Sequence, residues 1–208
     1  MNTARACPNG RLIYLHGFRS SPQSAKARAL SQRLADRGFA DRFVCPQLPV
    51  SPRLAWQTIL ALHPGSDDVV VGSSLGGYYA RAVAARVRDL RVIALNPAID
   101  PAQTLAGQLG TQRGWHDDVP FEFLPSYLEE LRSLWIERLQ SPERCLLVAA
   151  RGDELISWRD MVAAWQGSRM LVLATSDHAM TDFDCYIEAV LDAAGFGIAA
   201  SMSLNRSD

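Results

Sequence analysis

Residues 69–79 run V-V-V-G-S-S-L-G-G-Y-Y, and few folds accept such a segment. A short β-branched run, Val69-Val70-Val71, enters a glycine-bounded turn with Ser74 at its apex. An alanine-rich, helix-forming stretch from Tyr79 to Val87 follows. Gly72, Ser74 and Gly76 spell G-x-S-x-G, the strand–turn–helix elbow that carries a nucleophile. The spacing has a mechanical reason: a serine on so sharp a turn is strained, and only small residues two positions either side avoid backbone clash. The turn pushes the hydroxyl outward, while the unpaired N–H groups and positive dipole end of the next helix face any anion formed beside it. A glycine-rich turn used only for packing is the bland alternative. A phosphate-binding loop is excluded, because Gly77 is followed by Tyr78 rather than Lys and Ser or Thr; no G-x-G-x-x-G is present either.

A serine is a weak nucleophile until a base takes its proton and a third group orients that base. After the apolar run 144–150 the chain reads Arg151-Gly152-Asp153-Glu154, which puts an acid at a strand's carboxyl end. After the next apolar run, 169–174, comes Thr175-Ser176-Asp177-His178, which puts an imidazole at the corresponding loop. Asp153 is therefore the expected orienting acid and His178 the expected base. Taken singly, a loop Asp is more often a cap or turn residue; position after a strand is what selects Asp153. His63 and His116 sit in polar turns and His16 ends the first strand. The chain order Ser, Asp, His is that of α/β-hydrolases.

Residues 11–22, R-L-I-Y-L-H-G-F-R-S-S-P, form a strand followed at once by a His-Gly turn. That turn is expected to bring the backbone N–H of Phe18 beside the N–H of Leu75 as an oxyanion hole, each donor worth about 3 to 4 kcal/mol in comparable sites. Gly17 lets backbone approach, and His16 is expected to shape the loop by hydrogen bonding within it.

Several blocks together resemble the YqiA-like small bacterial esterases of the α/β-hydrolase superfamily. They are Ile13 to Pro22 with Ser24 and Lys26, Gly72 to Gly77, Asn96-Pro97-Ala98, Gly152-Asp153-Glu154 and Asp177-His178, spanning Arg11 to about Gly195. The resemblance implies an intracellular serine esterase acting on carboxylic ester or acyl thioester bonds. Two features depart from the family pattern: Arg19 stands where a small polar residue such as Asn is usual, and Thr175-Ser176 replace the glycines usual before Asp-His.

Alternation organises the rest. Strands are expected near 11–16, 41–45, 68–73, 91–95, 144–150 and 169–174. Helices are expected near 24–37, 52–62, 75–87, 126–139, 157–166 and 182–193, with Ser51 and Asp182 as N-caps and Gly38 as a stop. The fold class is thus α/β: a mostly or wholly parallel sheet of about six strands, helices on both faces, functional loops at the strands' carboxyl ends. Residues 1–195 read as one α/β-hydrolase domain and 196–208 as a disordered tail. The irregular, glycine- and aromatic-containing segment at about 99–125 reads as a cap-like lid; a surface loop or a dimer contact are the alternatives. Arg19, Trp115, Phe121 and Phe123 are the expected substrate-binding residues, the aromatics as an apolar wall and Arg19 as a cation favouring anionic substrates.

With 208 residues and 48% hydrophobic content the chain is long enough for a real core, and its net charge of −1 with no basic run argues against nucleic acid or an anionic membrane surface. Residues 1–10 hold no apolar signal region, and no stretch approaches the roughly 20 apolar residues of a membrane span. Cys7, Cys45, Cys145 and Cys185 show no C-x-x-C spacing and read as reduced thiols of a cytoplasmic protein. No cofactor, metal or obligate protein partner is called for. A small-molecule ester or thioester of short to medium acyl chain, cleaved through an acyl-enzyme on Ser74, is the expected substrate. Acyl transfer by the same triad, and non-catalytic binding of a small acyl ligand, are the alternatives.

Overall fold

Six strands hydrogen-bond into one wholly parallel sheet: β1 (Leu12–Leu15), β2 (Phe43–Val44), β3 (Val69–Ser73), β4 (Arg91–Leu95), β7 (Cys145–Ala150) and β8 (Arg169–Leu173), in the order β2-β1-β3-β4-β7-β8. The computed structural model describes residues 9–116 and 118–197. Cys7 and the tail from residue 198 lie outside them. Helices α1 (Ala25–Ala35), α2 (Pro52–Ala61), α3 (Leu75–Ala84), α5 (Pro125–Arg132), α6 (Trp158–Ala164) and α7 (Ile187–Ala194) cover the sheet, and a short α4 (Pro101–Thr104) follows β4.

The strands are apolar at successive positions because both faces are covered. In β1, Ile13 and Leu15 join a core that includes Trp56 and Ile59 of α2 and Tyr79 of α3. Leu12 and Tyr14 join the opposite core, with Leu30 of α1 and Ile187 of α7. Register carries this split across the sheet, pairing Leu12 with Val69, Val70 with Val92, and Val92 with Cys145. Each fully buried aliphatic side chain contributes about 1.5–3 kcal/mol. Truncating the fully buried Ile93 to alanine would cost about 2–5 kcal/mol.

Local signals act largely as read. Ser51 Oγ accepts from Leu54 N at 3.3 Å with Pro52 at the first helical position. Gly38 takes φ +80°, letting Phe39 N close back on Leu34 O at 2.8 Å and stop α1.

Other boundaries move. Asp182 caps no helix: its carboxylate is engaged by Ser176 Oγ and by Tyr186 Oη, so a 3₁₀ turn intervenes and α7 begins at Ile187. Helix α5 ends at Arg132, where Ser133 Oγ returns to Glu130 O and Leu134 turns into the core. Phe196, read as the start of a tail, is fully buried with its ring 5.3 Å from that of Phe39.

The segment read as irregular contains an antiparallel hairpin, β5 (Gly110–Arg113) with β6 (Pro120–Phe123). Its strands alternate half-buried and exposed residues, as expected of a ribbon with one face on the protein. Gly110 at φ +93° and Asp118 at φ 53° take the left-handed positions that its entry and turn require.

Candidate active site

Strand β3 delivers Ser74 into a turn with φ 55° and ψ −120°, a conformation that costs a non-glycine residue about 1–3 kcal/mol and persists only where its surroundings over-determine it. The surroundings do so. Ser74 N donates to Leu95 O at 3.0 Å, and Ser74 O accepts from Gly77 N at 2.9 Å and Ala98 N at 3.0 Å. A Cβ on Gly72 would stand 2.2 Å from Gly76 O, and one on Gly76 would stand 1.9 Å from Leu15 O. One on Gly77 would stand 2.6 Å from Pro97 Cβ. The elbow therefore folds flat onto β1 and onto the turn after β4, and its glycines are steric requirements.

Parallel topology brings the loops after β3, β7 and β8 to one sheet edge. There His178 Nε2 lies 3.1 Å from Ser74 Oγ, and His178 Nδ1 lies 2.8 Å from Asp153 Oδ2. The Asp153 side chain is fully buried, and its Oδ1 accepts from Leu155 N at 2.9 Å and Ile156 N at 2.8 Å. A carboxylate so placed only accepts, so His178 Nδ1 carries the proton and Nε2 is free to accept from the Ser74 hydroxyl. Gly152 makes the approach feasible, since a Cβ there would stand 2.7 Å from Ser176 O.

Three side chains that the sequence reading did not assign hold the histidine loop by its backbone. Asn96, fully buried at the end of β4 with φ 42°, donates from Nδ2 to Asp177 O at 2.9 Å and His178 O at 3.2 Å. Its Oδ1 accepts from Ala150 N at 2.8 Å. Glu154 Oε2 accepts from His178 N at 3.0 Å, and Lys26 Nζ donates to Ala179 O. Burial lowers the Lys26 ammonium to about 8, against the opposing pull of Asp177. Asn96 and Lys26 already stood in sequence blocks of interest. For Asn96 the signal would have been a polar residue where a strand ends inside an otherwise apolar sheet.

The His-Gly turn packs against the serine: a Cβ on Gly17 would stand 3.2 Å from Ser74 Cβ and 3.6 Å from Ser74 Oγ. Phe18 follows, and Leu75 opens α3 at the helix's positive end. Neither backbone N–H donates to an acceptor among the described residues. His16 shapes the turn from behind, with Nδ1 3.0 Å from Gly17 O and Nε2 accepting from Leu48 N at 3.1 Å. Burial lowers its pKa, the Gly17 carbonyl opposes that, and His116 lowers it further. The neutral ring is the form that makes both bonds.

Beside the serine opens a cavity of about 190 Å³ between the 16–21 turn, residues 47–50 and the hairpin tip, with Leu75 and Tyr79 at its base. Ser74 does not line it; its neighbours Gly17, Phe18 and Leu75 do. Of the four expected substrate-binding residues, Arg19 and Phe121 are in its wall. The other two are not. Phe123 is 1% exposed, its ring 5.0 Å from that of Phe18 beneath the cavity. Trp115 is 67% exposed and does not line the cavity; the Arg19 guanidinium carbon lies 4.0 Å from the centre of its ring. Among the described residues no group of His, Cys, Asp and Glu is placed to hold a metal ion, and no helix is long and apolar enough to cross a membrane.

Comparison with known proteins places this geometry. The model of the uncharacterised protein family UPF0227 matches residues 11–194. UPF0227 protein YE1706 of Yersinia enterocolitica is 27% identical over 154 residues, covering 70% of this chain and 76% of that one. Alpha/beta hydrolase domain-containing protein 10 from mouse superposes with a TM-score of 0.67 at 16% identity, covering 92% of this chain and 97% of that one. Est1E from Butyrivibrio proteoclasticus superposes with a TM-score of 0.63 at 17% identity, covering 96% and 90%. Identities this low establish the α/β-hydrolase fold and nothing finer. The family match spans nearly all of the folded chain, and the protein belongs to UPF0227, the YqiA-like family that its motifs resemble.

Proposed function

We propose that this protein is a serine hydrolase that cleaves carboxylic esters or acyl thioesters of short to medium chain through an acyl-enzyme on Ser74. The observation that carries the reading is the unbroken hydrogen-bond line from Asp153 through His178 to Ser74 Oγ.

In the first half-reaction Ser74 Oγ attacks the substrate carbonyl carbon as its proton passes to His178 Nε2. Asp153 keeps the ring in its tautomer and stabilises the resulting imidazolium. The carbonyl oxygen, now an anion, accepts from Phe18 N and Leu75 N. The tetrahedral intermediate then collapses, the C–O or C–S bond to the leaving group breaks, and His178 returns its proton to the departing alcohol or thiol. In the second half-reaction His178 takes a proton from water as the water oxygen attacks the acyl carbon. Collapse releases the carboxylic acid and restores the Ser74 hydroxyl. No step needs a redox partner, a metal or a cofactor.

Esterases and a monoacylglycerol lipase stand among the proteins of similar fold, which agrees with ester chemistry. We read residues 99–125 as a short cap, since the hairpin tip walls the cavity. Free thiols at Cys45, Cys145 and Cys185 agree with a cytoplasmic location. The test is turnover of p-nitrophenyl esters and acyl-CoA thioesters of graded chain length by the wild type and by Ser74→Ala. Turnover of short to medium members by the wild type alone is expected. Failure on every member, or equal rates in the variant, would contradict the reading.

A further inference from the structure

The structure fixes Arg19 firmly for a loop arginine. Its backbone sits at φ 60°, a conformation uncommon for a residue with a Cβ. Its carbonyl accepts from Trp115 N at 2.8 Å, and its Nε donates to Arg113 O at 2.6 Å. The guanidinium carbon lies over the Trp115 ring, 4.0 Å from its centre. A solvated arginine would sample many rotamers, whereas this one is held by a carbonyl, a ring and the hairpin backbone.

None of those ties neutralises its charge. Asp118 on the hairpin turn pairs with Arg113 at 3.0 Å. Among the described residues, no carboxylate pairs with Arg19 and no Asp or Glu lines the cavity whose wall Arg19 joins. The remaining polar lining is His16, Ser20, Ser21, Gln47, Tyr79 and His116, none of them a carboxylate. With Nε engaged by Arg113 O, a guanidinium held at a cavity wall where no described acid stands is suited to recognise carboxylate or phosphate through its remaining N–H groups.

We propose that Arg19 forms an anion-binding subsite of this cavity and that the preferred substrates are short esters or thioesters bearing a carboxylate or phosphate a few bonds from the scissile carbonyl. The proposal rests on the ester-hydrolase reading above. It follows from position as well as charge. Arg19 adjoins Phe18, the oxyanion donor of the reading above, so an anion held by the guanidinium would set the carbonyl's place along the turn. Charge on the acyl side and charge on the leaving side share this chemistry.

Matched substrates separate them. The acyl arm compares the mono-p-nitrophenyl ester of glutarate with p-nitrophenyl butyrate. The leaving-group arm compares the butyryl ester of 4-hydroxybenzoate with phenyl butyrate. Arg19→Gln is expected to lower the anionic-to-neutral ratio of kcat/KM about tenfold or more in one arm, with Arg19→Lys intermediate because it keeps charge but loses the planar fork. The neutral ester in each arm is the internal reference, so a loss common to both members reports damage to the loop. Ratios within twofold of wild type in both arms would overturn the subsite.

A binding measurement keeps the proposal testable if no ester is turned over at all, which would sink the hydrolase reading alone. In NMR titrations, glutarate or inorganic phosphate is expected to shift amides of residues 16–21 and 114–116 in the wild type, with at least tenfold weaker binding in Arg19→Gln. Equal binding by both proteins, or none by the wild type, would overturn the subsite independently.

Discussion

The side-chain amide of Asn96 donates to the carbonyl oxygen of His178 at 3.2 Å, from a fully buried position at the end of β4. The same amide holds Asp177 O and Ala150 N, so one side chain joins the end of the strand before Asp153 to the loop that carries the imidazole. Asn96→Ala orphans these buried groups and is expected to cost on the order of 3 kcal/mol of stability. It is also expected to lower kcat about tenfold with KM little changed. Asn96→Asp should be worse, because its carboxylate would face two carbonyl oxygens. Urea denaturation alongside steady-state kinetics checks both; wild-type values in each would refute the positioning role.

Asp153 and Glu154 are adjacent but differently engaged, one on the imidazole Nδ1 and the other on the His178 backbone N. Asp153→Asn is expected to leave the fold intact and lower kcat roughly 10⁴-fold by destroying the required tautomer. Glu154→Gln keeps a carbonyl oxygen for the backbone N–H and should cost about tenfold or less. Reversed magnitudes would move the acid to Glu154.

The elbow glycines make a steric prediction with an internal control. Gly76→Ala drives a Cβ to 1.9 Å from Leu15 O, with backbone on both sides of the clash, and is expected to prevent stable folding. Gly107→Ala meets nothing within 4 Å at an ordinary φ and should change stability by no more than about 0.5 kcal/mol. Thermal melts of the pair decide it. A folded, active Gly76→Ala protein would mean that the turn is looser than described.

His16 makes a pH prediction. Its folded pKa is depressed below the ordinary 6.5, chiefly by burial. The unfolded chain therefore binds the proton first as pH falls. The stability contributed by this ring is fully present above about pH 6.5 and is lost as the pH drops from there through the folded pKa. His16→Asn, which does not titrate, should lack that part of the decline. The difference between the two unfolding free energies measured from pH 8 to pH 5 should narrow with acid; a constant difference would contradict the assignment.

The central alternation was legible because each parallel strand is buried on both faces and reads as an unbroken apolar run, as in Val69-Val70-Val71. The elbow was legible because its constraint is local: glycines at fixed offsets answer clashes within one turn and its immediate neighbours. The loop positions of Asp153 and His178 followed from topology, since parallel strands put their carboxyl ends together. Roles set by distant partners were not legible. Asp182 looks like a helix cap until Ser176 and Tyr186 take its carboxylate. Trp115 looks like pocket lining but is exposed outside the lining, and Phe123 looks so until the hairpin register sends it into the core. The role of Asn96 shows nothing locally, because its hydrogen-bond partners lie more than fifty residues away in the chain.

Covalent labelling tests the central claim most directly. Ser74 is the residue whose hydroxyl lies 3.1 Å from His178 Nε2, whereas Ser73 is 6% exposed within β3. A fluorophosphonate is expected to add one equivalent to the wild type, mapped by peptide mass spectrometry to Ser74, and none to Ser74→Ala. That variant should keep its fold and lose hydrolysis by a factor on the order of 10⁶. Labelling at Ser73 or elsewhere, or ester turnover undiminished in Ser74→Ala, would contradict the account.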